Sequence, residues 1–178
     1  VGVLSAQLRQ AGAEVPFLRP PHLASDTAGA LEVILHALDW LKQNAAFEPD
    51  YVALLQPTSP LRTASDLSQV IALARKSQAD SVISLCHARH NPAWLFRLDA
   101  ENQMSGSDPN APSRRQDMET LYAENGAIYL LKREMLQARK NWYTGHCLGY
   151  LMPDERSVDV DSPFDLKVVD LLLKDRMR

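Results

Sequence analysis

Asp159 and Asp161 flank Val160 in the run Ser157-Val158-Asp159-Val160-Asp161. In a strand, residues two apart project to one face, so this spacing aims both carboxylates together while Val158 and Val160 turn toward a core. Two hard oxygen ligands beside a helix start can hold a Mg²⁺ whose other positions stay with water and phosphate oxygens. Taken alone, Asp-x-Asp equally describes an exposed strand face with a helix-capping aspartate. The segment Gln56-Pro57-Thr58-Ser59-Pro60-Leu61-Arg62 sets an amide, two hydroxyls and a guanidinium on one tight loop. Such a loop can fix a polyhydroxylated ligand, with Gln56 the sharpest candidate, or be a turn whose hydroxyls satisfy local backbone groups. Arg115, beside Arg114 and Gln116, offers a guanidinium able to pair bidentately with a carboxylate, against a default of a solvated basic face. Asn125 and Gly126 read as a turn before a strand that carries Tyr129 on the same face as Ala127. Cys86, His87 and His90 lack the second ligand pair of a structural zinc site.

The elements that must position these groups follow from periodicity. Val1, Leu4, Leu8 and Ala11 recur at near-helical spacing and stop at Gly12, suited to a left-handed cap. Ala13 to Leu18 is expected as a short strand, and Ser25-Asp26-Thr27 as the start of a helix whose stripe is Leu31, Ile34, Leu35, Leu38 and Leu41. Tyr51 to Gln56 is a continuous apolar run, as in a strand buried on both faces of a parallel sheet. Thr63 and Asp66 are spaced to cap a helix with Leu67, Val70, Ile71 and Ala74 on its inner face, and Ser81 to Leu85 supplies the next strand, giving a βαβ rhythm. Between His87 and Asn125 the rhythm fails, which marks a functional loop or a subunit arm. Ala127 to Leu131 resumes strand character, Arg133 to Ala138 is a short helix, and Leu148 to Met152 and Val158 to Val160 are short strands. Ser162-Pro163-Phe164-Asp165 opens a final helix. Alternating strands and helices predict a doubly wound, mostly parallel α/β sheet, with ligands beyond the carboxyl ends of its strands.

The 178 residues are 46% hydrophobic and 23% charged, which fits one domain able to bury a core. A net charge of −3, from 19 basic against 22 acidic residues, removes the electrostatic motive for sequence-independent nucleic-acid binding. Two cysteines suit a reducing compartment, so a cytoplasmic location is expected. No apolar run approaches the length of a membrane span. The chain starts at Val1 without Met, and its natural beginning is expected upstream.

The motifs LLQPTSPLR, RRQD, ENGAIY and SVDVDSPFDL, in this order, resemble the acylneuraminate cytidylyltransferases, or CMP-sialic acid synthetases, from about Gly12 to the end of the last helix. The resemblance implies a nucleotide-diphospho-sugar transferase-like fold over residues 1–178 as a single domain. It implies transfer of CMP from CTP to a nine-carbon acidic sugar such as N-acetylneuraminate, with release of pyrophosphate and Mg²⁺ on the triphosphate. Pseudaminate or legionaminate are alternative sugars, and a non-catalytic dimeric sugar-binding remnant is the alternative of a different class. By resemblance, Asp159 and Asp161 are the catalytic metal-binding pair and Gln56 contacts the sugar. Arg115, with Gln116 beside it, meets the sugar carboxylate, and Asn125 and Tyr129 line the substrate pocket. Trp142 and Tyr143 match an aromatic pair that an arm contributes to the partner's pocket, which implies a homodimer with residues 87–125 and 141–149 forming much of that arm. The family's first strand and its Gly- and Lys/Arg-rich triphosphate loop have no counterpart, so an N-terminally truncated chain is expected, with unpaired groups on the YVALLQ strand. Ala28-Gly29-Ala30 stands where relatives often carry serines.

Overall fold

The computed structural model describes residues 2–25, 27–106, 112, 114–143 and 145–176. In chain order the regular elements are α1 (Gly2–Gln10), α2 (Ala30–Ala45), β1 (Tyr51–Leu54), α3 (Ala64–Ser77), β2 (Ser81–His87), β3 (Arg97–Leu98), β4 (Met104–Ser105), β5 (Tyr122–Lys132), α4 (Arg133–Arg139), β6 (Cys147–Leu151) and α5 (Pro163–Arg176). They divide into two compact units, Val1–Asp50 with Arg133–Asn141, and Tyr51–Lys132 with Trp142–Arg178.

The smaller unit is helical. Gly12, at φ +86°, follows α1 in the left-handed region, and Ala46, at φ +48°, closes α2 with its N–H on Leu41 O. Ile34 and Leu38 are the buried positions of the α2 stripe. Phe17 stacks on Trp40 at 5.0 Å and meets the edge of His36 at 5.3 Å, so His36 is a packed ring. Arg133 binds α4 to the segment before β1, donating from its backbone N–H to Asp50 O at 2.9 Å and from Nε to Pro49 O at 2.9 Å. Two expectations fail in this unit. Residues 13–18 form no strand, because no ladder partner stands beside them among the described residues. The Ser25 and Thr27 hydroxyls bond each other at 3.2 Å instead of capping a helix, and α2 starts at Ala30 after an uncapped Gly29; Asp26 lies outside the described residues.

The larger unit carries a four-stranded sheet in the order β1-β5-β2-β6. β2 and β6 pair in parallel, while β5 runs antiparallel to both β1 and β2. Three strands therefore share one direction, and the β1-α3-β2 unit is a βαβ unit with β5 inserted between its strands. β1 pairs only with β5 and is an edge strand among the described residues, and its side chains are half-buried or exposed, not covered on both faces as expected. The main core joins Val70 and Ala74 of α3 to Val82, Ala127, Ile128, Leu130 and Met152. A second cluster, Leu61, Val158 and Val169, packs with Val160, Val168 and Leu172 under α5.

Both capping motifs form. The Thr63 hydroxyl accepts from Asp66 N–H at 3.2 Å and the Asp66 carboxylate accepts from Thr63 N–H at 2.8 Å. Ser162 and Asp165 repeat the exchange at the head of α5. Asp66 also has long-range partners. Arg156, in the single 3-10 turn Asp154–Arg156, donates to it from Nε at 3.1 Å and Nη2 at 2.8 Å, and Tyr150 adds its hydroxyl at 3.2 Å. Burial opposes ionisation of this fully buried carboxyl, but the bonds from Arg156 and Thr63 outweigh it and hold the pKa at about 2. Asp66 thus fastens residues 153–156, which lead to Val158, against the start of α3.

A carboxyl depressed in the folded state stabilises it above the unfolded pKa, and that contribution disappears as pH falls from about 4 to about 2. Urea midpoints across that range should drop in the wild type and drop much less in Asp66→Asn. At neutral pH Asp66→Ala, which strands the half-buried Arg156, should cost roughly 3 kcal/mol in the same measurement.

Candidate functional site

The site is built on an irregularity of β5. Leu85 stands opposite Glu124 and Ile83 opposite Tyr129, so residues 125–128 bulge against Ser84 alone. Buried polar side chains fill the bulge. The Ser84 hydroxyl accepts from Ile128 N–H at 2.7 Å and lies 2.6 Å from Asn125 Oδ1, to which it donates. Asn125 Oδ1 also accepts from Ala127 N–H at 3.2 Å, and Asn125 Nδ2 donates to Ser157 Oγ at 2.9 Å. With its amide engaged by the protein and only 3% of its surface exposed, Asn125 forms the floor of the site, not its lining.

Gly126, at the crest of the bulge, has φ +71°. A Cβ there would lie 2.8 Å from Gln56 Oε1, 3.1 Å from Ser59 Oγ and 3.3 Å from Asp159 Oδ2. Both the backbone angle and the space demand glycine. The same distances show that side chains from the loop after β1 and from the segment before α5 converge on one point. Ser59, fully buried, shares its hydroxyl proton between Asn125 O at 3.1 Å and Asp159 Oδ1 at 3.4 Å. Arg62 Nη1 donates to the carbonyls of Gln56 at 2.6 Å, Ser59 at 2.8 Å and Ala127 at 3.3 Å, and burial lowers its pKa. It thereby clamps the loop to β5.

Residues 158–160 form no strand; a single bond from Val160 N–H to Thr58 O, 2.8 Å, replaces the expected ladder. Val158 and Val160 pack into the cluster under α5. Asp159 is half-buried among Gln56 and Ser59, while Asp161 is exposed, its N–H 3.3 Å from Asp165 Oδ2. Among the described residues no three His, Cys, Asp or Glu side chains gather as ligands of one metal ion would. Of the donors that do meet, the fully buried Ser59 hydroxyl is closed to a hydrated ion, which leaves the Asp159 carboxylate and the Gln56 amide oxygen as the hard ligands a Mg²⁺ could use.

Tyr129, 8% exposed, donates to Glu124 Oε2 at 2.8 Å, and its ring centroid lies 5.6 Å from that of Trp142. Tyr143 donates to Glu124 Oε1. Burial and the bond to Glu124 push the Tyr129 pKa far up, with Asp159 among the charges that add to the effect. The bond to Glu124 and burial push Tyr143 up to about 12. Within the single chain, then, the aromatic pair sits on Tyr129 and Glu124. Arg115 belongs to a 3-10 turn, Arg115–Asp117, but its side chain lies outside the described residues. Gln116 in that turn is exposed and joins none of the contacts above. A separate cleft of about 450 Å³ opens beyond β2, lined by His87, Arg89, His90, Trp94, Thr120 and Asp154, and touches none of the residues around Gly126.

Sequence reasoning passed over Glu124. Five positions separate it from Tyr129, which in a regular strand puts the two on opposite faces; the bulge changes the phase. No sequence signal marks that change.

No protein-family model matches the chain. It is 30% identical over 167 residues to post-translational flagellin modification protein B of Campylobacter coli, covering 93% of this chain and 70% of that protein. It is 28% identical over 172 residues to CMP-N,N'-diacetyllegionaminic acid synthase of Legionella pneumophila, covering 93% and 71%. N-acylneuraminate cytidylyltransferase of Streptococcus agalactiae is 30% identical over 151 residues, 83% of this chain and 35% of that one. Among solved structures, CMP:2-keto-3-deoxy-manno-octonic acid synthetase complexed with CTP superposes with a TM-score of 0.54 at 14% identity, covering 85% of this chain and 70% of the other, and shares the fold.

Gly126→Ala should destabilise by about 2 kcal/mol, the sum of strain at positive φ and a contact that Gln56 must relieve by moving. Urea denaturation measures the loss; an unchanged midpoint would mean that the bulge is not held as described.

Proposed function

The chain belongs to the acylneuraminate cytidylyltransferase family, and from that membership we propose that it transfers CMP from CTP to the anomeric hydroxyl of a nine-carbon acidic sugar such as N-acetylneuraminate. It is a nucleotidyltransferase. The observation that carries the reading is the convergence of Gln56 and Asp159 on Gly126, which brings the residues expected to contact the sugar and the metal to one place.

In this reading the sugar's anomeric oxygen attacks the α-phosphorus of CTP. The bond from that phosphorus to the bridging oxygen breaks, and pyrophosphate leaves. Asp159 and Asp161 are the residues that would hold a Mg²⁺ for the triphosphate. That ion, when bound, neutralises the charge that develops on the phosphoryl oxygens. Gln56 orients a sugar hydroxyl, and the loop keeps its aim because Arg62 fixes the Gln56 and Ser59 carbonyls. The same two carboxylates, Asp159 and Asp161, take part in removing the proton of the attacking hydroxyl. Arg115, with Gln116, meets the sugar carboxylate; Tyr129, Trp142 and Tyr143 wall the pocket, and Asn125 acts beneath it by holding the bulge. Of the spans expected in a homodimer arm, residues 122–124 and 147–149 pair with β2 in the sheet instead, so the arm is drawn from the stretch between β2 and β5, whose exposed Leu95, Phe96, Leu98 and Met104 supply apolar surface for the contact. No described helix is long and apolar enough to cross a membrane, and the two free thiols fit a cytoplasmic protein. Pseudaminate and legionaminate are the alternative sugars, the second supported by the relative named for N,N'-diacetyllegionaminic acid.

The test is to incubate the chain with CTP, Mg²⁺ and, in turn, N-acetylneuraminate, legionaminate and pseudaminate. Pyrophosphate and CMP-sugar should appear in equal amounts. Asp159→Ala and Asp161→Ala should each lower kcat by at least about 100-fold, as loss of a metal ligand does in phosphoryl transfer. Sugar binding without turnover for any acid would favour the binding module instead, and near-normal rates in Asp161→Ala would remove that residue from the chemistry.

A further inference from the structure

Both carboxylate oxygens of Glu124 are engaged by phenols of its own chain: Oε2 by Tyr129, Oε1 by Tyr143. Trp142, next to Tyr143, lies against the Tyr129 ring at 5.6 Å with the planes tilted by 51°. We propose that Glu124 is a positioning residue that seats the Trp142-Tyr143 pair on Tyr129 of the same chain and so builds the aromatic wall beside the Gln56–Ser59–Asp159 cluster.

Three observations carry this. The carboxylate is shared by a tyrosine that the fold buries and one that it leaves half-exposed, 8% against 53%, so a fixed strand residue anchors a segment that its own burial holds only partly. Hydrogen bonds from neutral hydroxyls to a carboxylate are among the stronger and shorter in proteins. Both phenols, held by burial and by the carboxylate, keep their protons across neutral pH and so remain donors. Finally, Glu124 reaches Tyr129 only because the bulge resets the strand phase, so the device that brings Gly126 under Gln56 also brings Glu124 to Tyr129. The consequence for turnover rests on the cytidylyltransferase reading; the seating itself does not.

The experiment uses the full chain with Trp40 and Trp94 changed to Phe, which leaves Trp142 as its one tryptophan. Acrylamide quenching and the near-UV circular dichroism of Trp142 report its seating. Glu124→Ala should raise the quenching constant and flatten the near-UV band, Tyr143→Phe should do the same in part, and Glu124→Gln, which keeps an acceptor of the same shape, should restore most of both signals. If Glu124→Ala does not fold, as far-UV dichroism tells, Tyr143→Phe decides, since it removes a single hydroxyl from a half-exposed ring. Unchanged quenching in the folded variants overturns the proposal. A Trp142 signal that weakens on dilution through a dimer's dissociation range overturns the same-chain assignment. In the enzyme with all three tryptophans, Glu124→Ala should raise the KM for the acidic sugar about tenfold while kcat and the KM for CTP stay within about twofold. A wild type without turnover counts against the proposed function and leaves the fluorescence outcome to decide the seating.

Discussion

The larger unit is organised around the absence of one methyl group. At Gly126 the chain turns through the left-handed region inside a strand and passes so close to Gln56, Ser59 and Asp159 that even a Cβ would displace the Gln56 side chain. Close-packed interiors seldom leave such a crossing by accident, because any gap forfeits contacts and any added atom forces a shift. Three stretches distant in sequence, the loop after β1, the middle of β5 and the approach to α5, are brought to one point by that approach.

A bulge of this size in a central strand breaks the ladder and leaves backbone groups to be satisfied in a buried place. Ser84 and Asn125 substitute for the missing ladder, each bonding to side chain and backbone at once, and Ser157 and Met152 complete the shell around the Asn125 amide. Networks of this kind are stabilising when every member is satisfied and costly when one is not. The cost gives a reason for so many hydroxyl and amide groups beneath the site. Asp66 does comparable work further out. Its bonds to Arg156, Tyr150 and the cap of α3 hold the chain that carries Asp159, so the position of an irregular segment depends on a buried ion pair and not on strand pairing.

The overall charge is mildly acidic, and the groups at the site are polar before they are charged. Around Gly126 the Asp159 carboxylate approaches together with the Ser59 hydroxyl and the Gln56 amide oxygen, while the Arg62 guanidinium is turned inward onto carbonyls. Such a site suits a ligand that brings its own negative charge together with a cation, as a nucleoside triphosphate does. Three of the four motifs of the family likeness, LLQPTSPLR, ENGAIY and SVDVDSPFDL, each supply one loop or strand segment of this meeting point.

Local rules sufficed for the elements whose signals are local. Thr63 with Asp66 and Ser162 with Asp165 are capping pairs because three-residue spacing returns the side chain to its own helix, and the stripe of Val70, Ile71 and Ala74 needs only helical periodicity to face a core. The candidates Gln56, Asp159 and Tyr129 were legible for a similar reason, since residue type and motif order survive without coordinates. What the linear chain left open depends on partners far away. Residues 13–18 have strand composition and no neighbour to pair with; Val158 to Val160 has strand composition and takes one bond from the loop after β1 instead of a ladder; Asn125 looks like a turn residue and lies inside the longest strand. Whether an apolar run becomes a strand is decided by what lies beside it, and whether two residues share a face is decided by the phase between them. Glu124 meets Tyr129 only because the bulge shifts that phase, and the bulge exists because buried Ser84 and Asn125 satisfy it from within. Amino-acid order specified the caps, the stripes and the chemical groups; the tertiary fold alone specified which of those groups meet, because a contact between distant residues is set by register and burial, which no local spacing encodes.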